Sequence, residues 1–167
     1  PGVQTALIVV GLPARLYAHQ KTEYGNAVSK HIERGEVKVV PQSLGPYYTM
    51  MFAADGTQQP DFNADEDSWG IIEVGQYTTD YAQIERGRTI EHAFGSSPGM
   101  QRAAVNLQGE ILKKHNIQVS MADATELLAN PILKNFGKKI DVSAEVATAV
   151  EPVALTIVEK ATQLFGD

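Results

Sequence analysis

The order of apolar patterns in the first half of the chain constrains the fold most. Residues 5–10 form a short β-branched run that ends at a Gly-Leu-Pro turn, which predicts a buried strand. In residues 24–33 the apolar positions recur every three or four residues and Gly35 follows them, which predicts a capped helix. Residues 36–40 alternate polar and apolar side chains, and residues 44–52 again indicate a helix. Strand and helix therefore alternate, as in an α/β fold.

A segment without apolar periodicity, residues 54–67, comes next. Its glycine, proline, acidic and amide residues predict an exposed loop and an internal boundary. Residues 69–74, 77–84 and 88–94 follow as short β-prone runs with turn residues between them. These runs predict a three-stranded meander.

The last part of the chain has the pattern of helices. Residues 98–115 carry one apolar face, and Asp123 is the predicted cap of a shorter helix that ends at residue 129. Residues 133–140 centre on a glycine between extended pieces, which predicts a small hairpin. Residues 143–164 form a long amphipathic pattern in which Pro152 is a possible kink.

The composition excludes several classes of function. The chain of 167 residues has a net charge of −6, and it lacks the clustered Lys and Arg of a nucleic-acid-binding surface. It has no cysteine, which excludes thiol chemistry and Cys-based zinc sites and is compatible with a cytoplasmic location. Its longest apolar run near the start is far too short to span a bilayer, so we expect no direct contact with nucleic acid or membrane.

Residues 73–80, which read Glu-Val-Gly-Gln-Tyr-Thr-Thr-Asp, concentrate polar groups at the turn of a predicted hairpin. Gly75 can adopt a positive φ there and bring the backbone close to an anion, while hydroxyl and N–H groups donate to phosphate oxygens. A carboxylate beside such a cradle can hold Mg²⁺ through its water shell. By residue type alone, an ordinary hairpin with threonines on its strands explains the same segment.

This segment resembles the second phosphate-binding loop of the actin-like ATPase superfamily, whose usual pattern is Asp-x-Gly-x-Thr with a following Thr or Asp. Residues 9–13, 37–43 and 95–99 resemble further family segments in the same order, and the nearest type is the bacterial ParM/StbA plasmid segregation actin. The resemblance implies an actin-like, ribonuclease H-like ATPase fold of mixed sheets flanked by helices. It also implies that residues 1–67 are the remainder of a first lobe and residues 68–167 the start and body of a second.

The resemblance assigns roles to seven residues. It implies that a glutamine orients the attacking water, that the loop cradles the phosphates of ATP, and that two carboxylates manage Mg²⁺ and its waters. The glutamine that orients the water is Gln42. The residues that cradle the phosphates are Gly75, Gln76, Thr78 and Thr79, and the two carboxylates are Glu73 and Asp80. The segment 95–99 is implied to open a helix whose N-terminus approaches the nucleotide.

Two departures from the family pattern concern hydrolysis. Glu73 stands where the family usually has Asp, and Gln76 stands where it often has Gly. The family's first Asp-x-Gly loop is not found before Pro1, nor its Gly-Gly-Gly motif after Asp167, so we expect an incomplete fold that is inactive by itself.

The resemblance implies an ATP-dependent protein that polymerises into filaments for plasmid or DNA segregation. Its partners would be further copies of itself and a DNA-bound adaptor protein. Two alternatives stay open, a scaffold of the same fold that does not hydrolyse ATP and a small-molecule kinase of the same superfamily. A kinase would need a catalytic Asp near Gln42, and the sequence offers no convincing one.

Overall fold

The computed structural model describes residues 6–166, which fold as two compact units. The first unit comprises Pro1–Glu73 and Asp80–Ser96, and the second comprises Val74–Thr79 and Ser97–Asp167. Lobes and compact units are different divisions of a chain, so the lobe boundary between residues 67 and 68 stays a prediction.

The first unit begins with a strand-helix-strand arrangement: β1 (Ala6–Leu12), α1 (Ala14–Ser29) and β2 (Gly35–Pro41). The two strands pair in parallel, from Ala6 opposite Gly35 to Leu12 opposite Pro41. Both strands were predicted, although residue 5 of the first prediction lies outside the described residues.

The predicted helix at residues 24–33 was wrong in its bounds, because α1 begins ten residues earlier and ends at Ser29. The Pro13 carbonyl accepts the first hydrogen bonds of the helix. A Cβ on Gly25 would lie 3.1 Å from a methyl carbon of Val39, so the missing side chain lets α1 pack closely on β2. Neither contact is visible as apolar periodicity.

A 3₁₀ helix (Gln42–Leu44) and α2 (Gly45–Met51) follow β2, as the sequence predicts for this region. Part of the core of the unit is a cluster of aromatic rings packed among aliphatic side chains. Tyr47 meets Phe62 edge to face at 5.3 Å between ring centroids, and Phe62 stacks on Trp69 at 5.4 Å. Phe62 is buried, so the loop at residues 54–67 is anchored in this core instead of being wholly exposed.

Four strands, β3 (Ser68–Val74), β4 (Thr78–Glu85), β5 (Arg88–Thr89) and β6 (Gly95–Pro98), form a sheet in which β4 pairs with the other three. The predicted third strand at residues 88–94 was wrong. The β5 strand has only two residues, a 3₁₀ turn at Glu91–Ala93 interrupts it, and β6 begins afterwards.

The second unit contains α3 (Met100–His115), α4 (Met121–Ala129), β7 (Ile132–Asn135), β8 (Lys138–Asp141) and α5 (Ser143–Phe165). Leu107, Ile111, Leu127 and Val142 belong to its core. The predicted hairpin and long helix are confirmed, and Pro152 lies inside α5. The cap of α4 is Ser120, whose hydroxyl accepts from the Asp123 N–H while Asp123 bonds back in a capping box, so the predicted cap was wrong by three residues.

Candidate functional site

The loop between β3 and β4 is a tight backbone turn. The Gly75 N–H donates to the Thr78 carbonyl at 2.9 Å, and a Cβ on Gly75 would lie 2.8 Å from that oxygen. Gly75 is not among the glycines with a positive φ, so the reason predicted for this glycine was wrong. It is required because the backbone of the loop approaches itself too closely for a side chain.

The N-terminus of α3 holds this loop. The N–H groups of Gly99, Met100 and Gln101 donate to the carbonyls of Tyr77, Gly75 and Gln76, at 3.0, 3.0 and 2.7 Å. Three consecutive donors of a helix end are thereby satisfied by three consecutive carbonyls. The helix end fixes the loop, so these three donors are already occupied, and the approach of the helix N-terminus to the nucleotide stays a prediction.

Gly99 is where the helix and the loop come closest. A Cβ at this position would lie 2.3 Å from the Gly75 carbonyl oxygen and 2.8 Å from the Thr78 nitrogen. No side chain fits in this space. Sequence reasoning did not assign a role to Gly99, although a glycine directly before a helix was visible as a signal.

Two N–H donors of the loop remain available. Within residues 6–166, the N–H groups of Gln76 and Tyr77 donate to no backbone acceptor, and both residues are exposed. The same two peptide groups contain the carbonyls of Gly75 and Gln76, which accept hydrogen bonds from α3. The orientation of both N–H groups is therefore fixed. Consecutive N–H groups in a fixed turn form a concavity that suits an anion. Thr78, half-buried, stands at the edge of this concavity.

Thr79 does not lie on the same face of β4 as Thr78. It is fully buried, and its hydroxyl donates to the Pro98 carbonyl at 3.2 Å. Alternate residues of a strand point to opposite faces, so Thr78 and Asp80 share one face and Thr79 takes the other. We therefore remove Thr79 from the predicted cradle, since its hydroxyl ties β4 to the segment that precedes α3.

Glu73 and Asp80 flank the loop in sequence, the first exposed and the second half-buried. Among residues 6–166, no three carboxylate or histidine side chains are grouped closely enough to hold a metal ion directly. Two carboxylates that act through water are compatible with Mg²⁺, which keeps several of its waters in proteins. Their role stays a prediction.

Gln42 is exposed and directly follows β2 in the first unit. A Cβ on Gly11 would lie 3.4 Å from the Cβ of Gln42, so Gln42 stands directly beside the end of β1. Ligands of parallel sheets bind at the carboxyl ends of the strands, which is where Gln42 stands. The next residue, Ser43, is buried, and its hydroxyl has no hydrogen-bond partner in the described part of the chain. The catalytic role of Gln42 stays a prediction.

Comparison with protein families gives one match. Residues 71–167 match the model of the MreB-like archaeal actin homologues, C-terminal region. No curated protein matches the sequence. Within residues 6–166, no helix is both long and apolar enough to cross a membrane.

Solved structures match over nearly the whole chain. An archaeal actin homologue aligns with a TM-score of 0.75 at 16% identity, covering 99% of this chain and 54% of its own. A 15-stranded ParM filament from Clostridium botulinum gives 0.72 at 18%, covering 96% and 52%. MreB5 of Spiroplasma citri bound to ADP gives 0.72 at 15%, covering 98% and 52%. The chain spans about half the length of these structures, and at such identities the likeness confirms the predicted actin-like fold alone.

Proposed function

The chain belongs to the family of MreB-like archaeal actin homologues, and from this premise we propose that the protein binds ATP and assembles into filaments. The observation that carries the proposal is the loop at residues 75–77, whose carbonyls are held by α3 while the N–H groups of Gln76 and Tyr77 stay available. The names of two similar structures support it, since one is a ParM filament and another is MreB5 bound to AMPPNP.

In this proposal the loop receives the phosphates of ATP. The N–H groups of Gln76 and Tyr77, with Thr78 beside them, donate to phosphate oxygens, Gly75 keeps the turn tight, and Glu73 and Asp80 orient the waters of a Mg²⁺ ion. Bound Mg²⁺ would neutralise charge on the phosphates. Thr79 contributes by holding β4 in place through Pro98.

Gln42 is the proposed residue that orients the attacking water. Phosphoryl transfer needs little covalent chemistry from a protein, because catalysis consists mainly of positioning and charge stabilisation. An exposed amide at the end of β2 can donate to one partner and accept from another, and both are needed to position a water molecule.

A second candidate is a scaffold that binds nucleotide and assembles without hydrolysing it. The exposed side chain of Glu73 favours it, because this carboxylate is one methylene longer than the family's usual aspartate and less fixed in position. A small-molecule kinase stays the other alternative, and it would need a carboxylate base near Gln42, whose chain neighbours Pro41 and Ser43 provide none.

For the biological task we propose segregation of plasmid or other DNA in the cytoplasm, through a DNA-bound adaptor protein. With a net charge of −6, the chain is poorly suited to bind DNA directly, so an adaptor would make that contact.

Gln42→Ala tests the catalytic part of this proposal in the full-length protein. With ATP and Mg²⁺, we expect phosphate release to fall by about tenfold to a hundredfold, because the attacking water loses its orientation. Light scattering should still rise, since nucleotide binding is retained. Gln20→Ala, an exposed glutamine on α1, is the matched control and should change neither signal.

The outcomes separate the candidates. If light scattering rises with ATP but the unmodified protein releases no phosphate, the protein is a scaffold that assembles without hydrolysis. If neither signal appears at high protein concentration, the filament proposal is abandoned.

A further inference from the structure

The β7 strand has an unpaired edge. Within the described residues it pairs only with β8, from Ile132 opposite Asp141 to Asn135 opposite Lys138, around a two-residue turn. The turn closes with the hydrogen-bonded pair Asn135 and Lys138, and the pairs of an antiparallel ladder alternate between bonded and non-bonded. Lys134 belongs to the next pair, so its N–H and C=O groups point away from β8.

A second contact agrees with this assignment. The Ile132 N–H, two positions earlier on the same edge, donates to the Asn130 carbonyl at 2.8 Å. Among residues 6–166, no hydrogen bond from outside the hairpin occupies the N–H or the C=O of Lys134. The free edge therefore presents a donor and an acceptor at Lys134 and a further acceptor at the Ile132 carbonyl.

A cavity of about 670 Å³ lies along this edge. It is lined by all four residues of β7, by residues 117–119 between α3 and α4, by one face of α4 and by Lys139 of β8. Successive side chains of a strand point to opposite faces, so four consecutive residues can line one cavity only where the edge of the strand borders it. The volume lies in the range of ligand sites, about 300–1,000 Å³. We name this cavity the edge slot.

The two sides of the edge slot differ in chemistry. Val119, Leu127 and Leu133 line it and are buried members of one core cluster, so its inner side is apolar. Lys134 and Lys139 are exposed and stand opposite each other in the register, so their side chains share the outer face of the hairpin. Neither lysine forms a salt bridge in the described part of the chain. The outer side is therefore positively charged and lacks a counter-charge.

Two acidic residues of α4 also line the edge slot. Asp123 is already engaged, since its carboxylate accepts from the hydroxyl and the N–H of Ser120. Glu126 is exposed, and α4 packs on the same core as Leu133, so this carboxylate disfavours a negative group on the inner side of the slot. Acidic groups of a ligand consequently fit only on the outer side, beside the lysines.

We propose that the edge slot binds an extended segment of another protein, which adds to β7 as a third strand. Its main-chain groups pair with those of Lys134 and Ile132, its inward side chains are apolar, and its outward side chains are acidic. An extended polypeptide fits better than a nucleotide or a lipid, because its donors and acceptors recur at every second residue, about 7 Å apart, as they do on β7.

This inference goes beyond the proposed ATP-dependent assembly and does not depend on it. The edge slot lies wholly within the second unit, and its lining contains neither Gln42 nor any residue of the segment 73–80. Its occupancy can therefore be measured without nucleotide.

A labelled synthetic peptide of about six alternating valine and glutamate residues tests the edge slot in the full-length protein. We expect saturable binding by fluorescence anisotropy, and hydrogen exchange at the Lys134 N–H about tenfold slower in the complex. A peptide of the same composition, with its valines and glutamates in two blocks, is the control and should bind about tenfold more weakly. If the alternating peptide does not bind at about 1 mM, or protects other residues and not 132–135, the inference is wrong.

Lys134→Pro removes the donor of the free edge. Proline is tolerated on an edge strand where the N–H faces outward, so the ladder to β8 and the melting temperature should be kept. Peptide binding should weaken by about tenfold, which corresponds to one hydrogen bond. Lys134→Thr is the matched control, because it keeps the N–H and loses only the charge, and it should weaken binding less. If the two variants bind equally well, main-chain pairing at Lys134 is refuted.

N-methylation of the peptide repeats the test without changing the protein. One peptide carries the methyl groups on its valine nitrogens and another on its glutamate nitrogens, and the two sets point to opposite edges of an extended strand. At least one of these peptides should lose binding, because one set of N–H groups faces β7. Unchanged binding of both would overturn the inference.

A second copy of the chain is the alternative occupant that hydrogen exchange reveals. In the absence of peptide, exchange at the Lys134 N–H should not depend on the protein concentration. Exchange that slows as the concentration rises would assign the free edge to a second copy and would contradict a segment of another protein.

Discussion

Replacing Gly99 with alanine is expected to lower the free energy of unfolding by about 3 kcal/mol and to abolish measurable ATP binding by the full-length protein. The φ of −93° at Gly99 suits any residue, so the cost is purely steric. The new Cβ would lie 2.3 Å from the Gly75 oxygen, and backbone atoms must move to relieve that contact. Such a shift breaks the three hydrogen bonds that orient the loop. Urea denaturation and nucleotide titration measure the two effects.

Gly109→Ala is the matched control, because it introduces the same side chain into the same helix. No atom lies within 4 Å of the position of its Cβ, and an exposed helix interior favours alanine over glycine. We expect this variant to be more stable by about 0.5–1 kcal/mol and to bind ATP normally. If both variants behave alike, α3 does not hold the loop by this close approach.

The elements that the sequence predicted well are those whose signal is local. The α3 and α5 helices bury apolar residues at regular spacing, and β2 carries a β-branched run, so hydropathy alone locates them. The start of α1 was missed because Gly25 and the carbonyl of Pro13 position this helix, and neither contributes apolar periodicity. The β6 strand was missed because the four residues Gly-Ser-Ser-Pro have little β propensity and form a strand only by pairing with β4.

The candidate site was predictable only in its residue types. Glycine, threonine and carboxylates in residues 73–80 indicated a phosphate loop, but their individual roles depend on contacts between distant residues. Thr79 donates to Pro98, 19 positions later, and this contact removes its hydroxyl from the cradle. The donors from Gly99 onward reach back more than 20 positions to the loop. Periodicity and composition contain no information about such pairs.

Glu145 is the charged residue whose loss should affect the second unit most. It is 3% exposed in the first turn of α5, and its Oε1 lies 2.7 Å from both the Lys114 Nζ and the His115 Nε2 at the end of α3. The hydrogen bond from Lys114, assisted by that from His115, lowers the pKa of Glu145 from 4.5 to about 2, despite the opposing effect of burial. One carboxylate therefore joins two helices.

Glu145→Gln should reduce the free energy of unfolding at pH 7 by about 2 kcal/mol. The shift in pKa corresponds to about 3 kcal/mol, and exposure of the Lys114 side chain reduces this through solvent screening. Because the folded pKa lies below the unfolded one, this contribution is complete above pH 5 and is lost as the pH falls towards 2. The two proteins should thus differ at pH 7 and converge near pH 2 when urea denaturation is measured across that range.

The matched control is Glu151→Gln, an exposed position on the same helix that forms no salt bridge among residues 6–166, and it should change stability by less than about 0.5 kcal/mol. Hydrogen bonds from Thr57 and Ser143 also lower the pKa of Asp55 and Asp141. The effect of Asp55 cancels in the difference, whereas the charge of Glu145 raises the pKa of Asp141, so the Glu145→Gln variant also lowers the pKa of Asp141 further. A constant difference between the Glu145→Gln variant and the unmodified protein from pH 7 to 2 would mean that packing, and not the charge of Glu145, joins α3 to α5.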